Sequence, residues 1–539
     1  MMEKQLYLKP NLVIEPLVDN WYAWSHLISP PTAAMNMVHR HMEIMDSYVM
    51  APDVHFQAVL NPKMRGGPFM DLGGKRIDEV KELQAATRKG SAKLFELAAA
   101  IKELDKMLLE NAKGYSLETL YEKVPVMLKG YVELFYDRHN NPAFRFFESL
   151  MYTNGFYDKT SQSIALWITD NDHRPFSLST PRLKEPHVLQ LPIPFDHPGV
   201  DELAKMKRVP QSLSYIRSFF DIPAEQEALF ASFFTEEPFP GYKHYEGDSI
   251  RMRYFGHACI LIETKDVSIL LDPLISYYGY HSDIDHFSDL DLPDVIDYVL
   301  ITHNHQDHIL FETLLPLRHK IKNIIVPATR GGRLEDPQLK LMFNSIGFNN
   351  VYEIDEMETI SFVDASITGV PFTGEHSDLN ILTKACFYVK IGDFKLMFMA
   401  DSRVVEPMLY KNIQQQIGDV DVIFLGMECD GAPLTWLYGP LLTKKLARDQ
   451  DSSRRLAGSD CAKGMTLVDI FHPKETYVYA MGQEPWLEFI SSIKYTDDSN
   501  PIVQSNKLVK LCQERGIIAE RLYGEKEIMY EKNTAPAVV

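Results

Sequence analysis

At 539 residues the chain is too long for one compact core, so two or more domains are expected. Its hydrophobic share of 45% and charged share of 24% are those of an ordinary globular protein, and 55 Lys+Arg against 74 Asp+Glu leave a net charge of −19. That balance excludes phosphate-backbone binding as the default function, and no apolar run is long enough to span a bilayer, so neither nucleic acid nor membrane is an expected partner. The cysteines (Cys259, Cys386, Cys429, Cys461, Cys512) are scattered without Cys-x-x-Cys spacing and read as reduced thiols. Glu3, Lys4, Lys9 and Pro10 interrupt any signal-peptide core, and the expected location is the cytoplasm.

The stretch to about residue 75 mixes Pro, aromatic and Met residues. It holds a His-x-His at His39 and His41, but Val38, Met42, Met45 and Val49 fall at helical spacing, which sets the two imidazoles far apart around a helix. They read as packing or surface residues. From Arg76 to about Leu109 the pattern is helical (Ile77, Val80, Leu83, then Leu94, Leu97, Ile101, Leu104, Leu108). Ser116 opens a further helical stretch that runs into Tyr131–Tyr136. The aromatics from Tyr131 to Tyr157 are expected to form core or a subunit interface. Glu185 to Phe195 reads as extended and Pro210 to Phe234 as helical, and Pro238, Pro240 and Gly241 mark a boundary. The division expected is 1–245 and 246–539.

Past Asp248 the pattern changes to strands: Met252–Phe255, Ala258–Glu263 and Ser268–Leu271, the last closed by Asp272. The apolar run Val295–Ile301 reads as a buried strand and ends on Thr302-His303-Asn304-His305-Gln306-Asp307-His308. Imidazole and carboxylate hold first-row divalent metals, and ligands packed this tightly leave room for two ions. In one geometry His303 and His305 serve the first and Asp307 and His308 the second. Downstream lie Thr373-Gly374-Glu375-His376-Ser377, the strand Phe394–Ala400 with Asp401 after it, and Val420–Leu425 followed by Met427-Glu428-Cys429. Glu428 should emerge at the same sheet edge, where a carboxylate can hold a substrate ammonium group; a surface role is the alternative. Thr443 to Arg455 carries Lys444, Lys445, Arg448, Arg454 and Arg455, a basic patch on an acidic chain that reads as a solvated face or as a docking site for an anionic partner.

His-x-His-x-Asp-His after a strand resembles the signature of the metallo-β-lactamase superfamily, and Phe255–Glu263, Ile269–Pro273 and Phe394–Asp401 resemble its flanking motifs in order. The resemblance covers roughly the second half of the chain. It implies an α/β chain: a C-terminal αββα sandwich behind a large mixed, largely helical N-terminal domain, with Asp401 bridging the metals and Asp272 supporting a ligand. His257 is expected to be structural or to act on a ligand. Hydrolases of this superfamily place a histidine after the glycine of the Gly374 motif; here Glu375 stands there. Adjacent residues of an extended segment point apart, so Glu375 rather than His376 is the expected ligand. Met481 occupies the place of the hydrolases' last histidine, and His472, in His472-Pro473-Lys474, is expected to cap a turn.

The resulting set, His303, His305, Asp307, His308, Glu375 and Asp401, is harder and more anionic than a zinc site and suits iron. It is similar to the di-iron β-hydroxylase of chloramphenicol biosynthesis and its relatives. That resemblance implies two Fe, O2 as co-substrate, an external two-electron reductant or electron-transfer protein, and a homodimer built by the N-terminal domain, which also walls the site. It also implies β-hydroxylation of an amino acid held as a thioester on the carrier domain of a nonribosomal peptide synthetase. A carboxylate changes its metal bonding more easily than an imidazole, so Glu375 is the ligand expected to move when substrate docks. The rival expectation is a dinuclear zinc hydrolase acting through metal-bound hydroxide.

Overall fold

The computed structural model describes residues 3–171, 173–279 and 283–531. Past residue 250, β-branched and aromatic runs build two seven-stranded sheets. In the first the strands lie in the order Val351–Ile354, Ile321–Pro327, Ile296–Leu300, Ser268–Leu271, Ile260–Glu263, Ile250–Tyr254 and Lys526–Tyr530. The second runs Thr359–Phe362, Ala365–Val370, Cys386–Ile391, Phe394–Phe398, Val422–Gly426, Glu475–Tyr479 and Ile518–Arg521. Both are mixed, with parallel ladders joining Ser268–Leu271 through to Val351–Ile354 and Phe394–Phe398 through to Ile518–Arg521.

The two-residue period decides what each strand buries. Ile260, Ile262 and Leu271 point into a core shared with Phe387, Val389, Phe398 and Phe424 of the facing sheet, while Leu261 and Leu270 point outward onto the helix Phe311–Leu317 and the N-terminal half. Helices Pro407–Ile417, Cys461–Phe471 and Asn500–Glu514 cover the second sheet through Tyr410, Phe471 and Leu508. This is the layered αββα sandwich that the strand patterns imply.

Ahead of it stands a mixed unit. Leu12–Val18 forms a four-stranded sheet with Trp21–Tyr22, Gln162–Ile168 and Leu189–Leu191, beside helices Ile77–Gly90 and Ala92–Asn111 at the positions the spacing predicts. His39 and His41 diverge on a π-helical turn, His41 stacked on Trp21 at 3.9 Å and His39 turned toward Glu43. The stretch from Ser116 to Tyr136 departs from its expected helix. Two 3-10 turns, Glu118–Lys123 and Val126–Leu128, give way at Gly130 (φ +81°), and Val132–Tyr136 then pairs with Pro142–Phe146 in a hairpin. Val132 and Leu134 are buried at a spacing of two, a strand period that the flanking aromatics obscured. Those aromatics pack on one another, Tyr131 against Phe156 at 5.0 Å. Pro210 to Phe234 yields only short helices, Leu213–Arg217 and Glu227–Ser232.

Polar contacts join the two halves. Glu148 accepts from Ser29 Oγ (2.9 Å) and from the Gln338 amide (3.1 Å), and burial raises its pKa from 4.5 to about 7. A carboxyl with a raised folded-state pKa stabilises the fold fully below its unfolded pKa, and that contribution is lost as pH rises through the folded value. Stability should therefore fall between pH 4.5 and about 7 by about 3 kcal/mol from this group, and Glu148→Gln should flatten the fall. Urea unfolding at about pH 5 and about pH 8 measures it.

Candidate metal centre

Strand ends of both sheets meet at one edge, and the backbone there is forced into unusual shapes. Left-handed conformations occur at Asp272 (φ +37°), His257 (+50°), Glu375 (+60°), Ala400 (+45°) and Ala480 (+52°), each beside a strand end or ligand loop of this edge. Non-glycine residues held there store strain and cluster at functional sites. Gly374 (φ +75°) has no room for a side chain, since a Cβ would lie 2.4 Å from Arg403 Cβ.

Hydrogen bonds orient the imidazoles. Thr302 donates to Asp272 through its amide (2.8 Å) and its hydroxyl (2.6 Å), and His308 Nδ1–H donates to Asp272 Oδ2 at 2.8 Å, which turns His308 Nε2 toward Asp401 Oδ2 at 3.2 Å. The Thr302 hydroxyl hydrogen goes to Asp272, so His303 Nδ1–H donates to Thr302 Oγ1 (3.0 Å), and His305 Nε2 lies 3.0 Å from Tyr438 Oη, where either group can donate. His303 Nε2 and His305 Nδ1 face each other at 3.1 Å, with Glu375 Oε1 3.0 Å from His305 Nδ1. Imidazole nitrogens and a carboxylate brought this close in a buried place form a set of donor atoms suited to a cation. Glu375 Oε2 and Asp401 Oδ1 are likewise buried without a hydrogen-bond partner. Ligand atoms of His303, His305, Glu375 and His376 lie within 4.8 Å of one another, as do those of His303, His308 and Asp401 and those of His257, Asp307 and His308. The donor set fits metal ions, and Asp401 Oδ2 lies 3.2 Å from His308 Nε2 and 3.9 Å from His303 Nε2.

The geometry revises one premise. Glu375 and His376 do not lie on an extended segment; the left-handed turn at Glu375 puts both side chains on one side, His376 Nδ1 2.9 Å from Glu375 Oε2 and its ring stacked on His305 at 4.6 Å. His257 stands closer to the centre than the sequence alone indicates, with Nε2 3.5 Å from Asp307 Oδ2. Its Nδ1 accepts the Gly482 amide (3.2 Å), so its proton sits on Nε2 and faces Asp307 as a donor. His472 is remote: it ends helix Cys461–Phe471 in a left-handed conformation and turns to Asp419 at 3.1 Å. Tyr438 escaped the sequence reading altogether, since nothing local marks a tyrosine distant in the chain as a partner of His305.

Charges follow from these contacts. Burial and neighbouring imidazoles hold His303 well below the usual histidine range, whereas burial is outweighed at His308 by the Asp401 and Asp272 carboxylates, which raise it. Burial opposes ionisation of Asp307 and Glu375, yet the imidazoles beside them hold both below the carboxylate range. Because Asp272 sets the tautomer of His308, Asp272→Asn should weaken iron binding by about 10–100-fold, read by competition with a chelator.

The centre opens into a cavity of about 460 Å³ lined by His305, Asp307, Glu375, Asp401, Glu428 and Met481, with Lys63, Arg65 and Gly66 of the N-terminal half on its wall. Glu428 is half-buried, accepts from Tyr495 Oη at 3.3 Å, and is raised to about 7 by burial and by Asp401.

Residues 7–238 match the family described as the diiron non-heme beta-hydroxylase N-terminal domain, and residues 268–432 match the beta-lactamase superfamily domain. The chain is 37% identical over 525 residues, 96% of its length and 98% of the relative's, to the 4-amino-L-phenylalanyl-(CmlP-peptidyl-carrier-protein) 3-hydroxylase of Streptomyces venezuelae. It superposes on the crystal structure of CmlA, a diiron beta-hydroxylase from Streptomyces venezuelae, with a TM-score of 0.91 and 36% identity, covering 98% of this chain and 99% of that one. A mutant of the CmlA beta-hydroxylase gives a TM-score of 0.89 at 36% identity over 97% of this chain and 99% of that one. Likeness over nearly the whole length, N-terminal half included, does not favour the zinc hydrolase reading. The chain belongs to the non-haem di-iron β-hydroxylases, oxygen-dependent enzymes that work with a pair of irons on a metallo-β-lactamase fold.

Proposed function

We propose that the enzyme β-hydroxylates an amino acid held as a thioester on the carrier domain of a nonribosomal peptide synthetase, in natural-product biosynthesis in the cytoplasm. The observation that carries this is the cavity: anionic ligands form its floor, and both halves of the chain build its wall. The aminoacyl group on a peptidyl carrier protein for which the Streptomyces venezuelae relative is named supports the tether.

His303 Nε2, His305 Nδ1 and Glu375 would hold one iron, Asp307 and His308 Nε2 the other, with Asp401 between them. The chemistry a bound iron pair supplies is activation of O2 once an external donor has delivered two electrons. The chain does the positioning. Glu428, beside Tyr495, would take the substrate ammonium group; Leu437, Met481 and Ile490 keep the cavity wall apolar; and Glu375 is the carboxylate whose bonding changes as substrate enters. His257 would orient Asp307 through its Nε2–H. Residues 1–245 serve as wall and as dimer contact, supported by the exposed apolar side chains of Met50, Val54 and Leu60, and residues 246–539 as the catalytic unit.

Incubating candidate aminoacyl carriers with reduced enzyme and air, then weighing the intact carrier, tests the reading. A gain of one oxygen atom that requires both reductant and O2 is expected. A carrier released from its thioester without air would instead mark a hydrolase.

A further inference from the structure

The cavity has opposite charge at its two ends. Asp307, Glu375, Asp401 and Glu428 line its buried part, whereas Lys63, Arg65 and Arg455, together with one carboxylate, Asp430, line it from loops that are exposed. Among the described residues none of these three cations forms an ion pair, in a protein of net charge −19. Arg455 is fixed by neutral partners: its guanidinium donates to the backbone carbonyls of Asp430 (2.6 Å) and Gly431 (2.7 Å). Asp430, the nearest carboxylate on that loop, is engaged by Asn500 Nδ2 at 3.0 Å.

The loops bearing these cations are fastened to one turn. Trp436 Nε1–H donates to Gly66 O at 2.8 Å, and Pro433 of the same turn pairs with Arg455. Gly66 (φ +71°) carries no side chain where a Cβ would touch Trp436 Nε1 at 3.4 Å, so the chain folds back there and holds Arg65 at the cavity. The N-terminal and catalytic halves therefore each contribute a guanidinium to one rim.

We infer that Lys63, Arg65 and Arg455 bind the phosphodiester of the phosphopantetheine arm that carries the substrate. This rests on the carrier-bound reading above and adds the site at which the arm is gripped. A substrate with a cationic amine at one end and an anionic phosphate at the other matches a cavity with an acidic floor and a basic rim. Guanidinium groups suit phosphate oxygens because their donors lie in a planar fork.

The probes are S-acetyl phosphopantetheine and S-acetyl pantetheine, which differ only in the phosphate, titrated calorimetrically into the full-length iron-loaded protein. The phosphorylated probe should bind about tenfold more tightly or better. In Arg65→Glu and Arg455→Glu that preference should vanish while affinity for S-acetyl pantetheine stays unchanged. Equal affinity of the wild type for both probes, or a preference that survives both substitutions, overturns the assignment, as does displacement of the phosphorylated probe by equimolar inorganic phosphate, which would mark a generic anion site. Hydroxylation of a loaded carrier without any preference for phosphate would remove the rim site and leave the proposed function standing. No carrier hydroxylation at all would remove that function itself.

Discussion

Glu375→Ala should reduce carrier hydroxylation by about 100-fold or more and lower the iron content from two per chain toward one. Removing this carboxylate leaves His303 Nε2 and His305 Nδ1, 3.1 Å apart, with only Asp401 to neutralise the first ion. It also deletes the anionic group that holds His305 in place at 3.0 Å. Elemental analysis and carrier mass, measured on the same preparation, separate loss of metal from loss of turnover. A variant with full iron and full activity would remove Glu375 from the site. Glu375→His is the sharper companion: it restores a ligand but makes the site softer and less anionic, so zinc retention should rise while oxygen insertion stays lost.

The second large effect lies outside the metal shell. Arg174 joins the N-terminal sheet to the helix that follows the ligand loop, donating to Glu15 Oε1 at 3.0 Å and to both oxygens of Glu312 at 2.7 and 3.0 Å. Its guanidinium also lies 3.5 Å from the Phe489 ring centroid. Both carboxylates are almost wholly buried, and although Arg182 also serves Glu15 and Tyr277 donates to Glu312, no other cation pairs with Glu312 among the described residues. Arg174→Met should cost about 3–5 kcal/mol, because it strands a buried charge rather than because the pair itself contributes that much. The check is urea unfolding, with Arg174→Met/Glu312→Gln as the second variant. Partial recovery in the double substitution identifies the stranded carboxylate as the cause.

Phe489 precedes Ile490, whose carbonyl accepts from Gln306 Nε2 at 2.8 Å, within the ligand loop itself. The same network that ties the halves together thus braces the segment between His305 and Asp307. Loosening it should disturb iron retention as well as stability.

Much of this centre was legible locally. An apolar strand ending on His303, His305, Asp307 and His308 needs only chain order to bring its ligands together, and Asp401 follows its own strand in the same manner. The strand Ala258–Glu263 was legible too, but its unbroken apolar run does not say which residues face the second sheet, and the fold turned Ile260 and Ile262 inward. The hairpin at Val132–Tyr136 was not legible, because dense aromatics carry no clear period and only Gly130 signals the break. The shared orientation of Glu375 and His376 was hidden as well, since it depends on a left-handed backbone packed against Arg403.

The candidate ligands His303, His305, Asp307, His308 and Asp401 are therefore legible in the sequence itself, through residue type and spacing at a strand end, whereas the approach of His257 and His376 is not. Tertiary structure alone decided how each histidine is oriented, through Asp272, Thr302 and Tyr438, and which cations of the N-terminal half reach the cavity. Those outcomes rest on contacts between residues far apart in the chain, and no local period or propensity encodes a partner that distant.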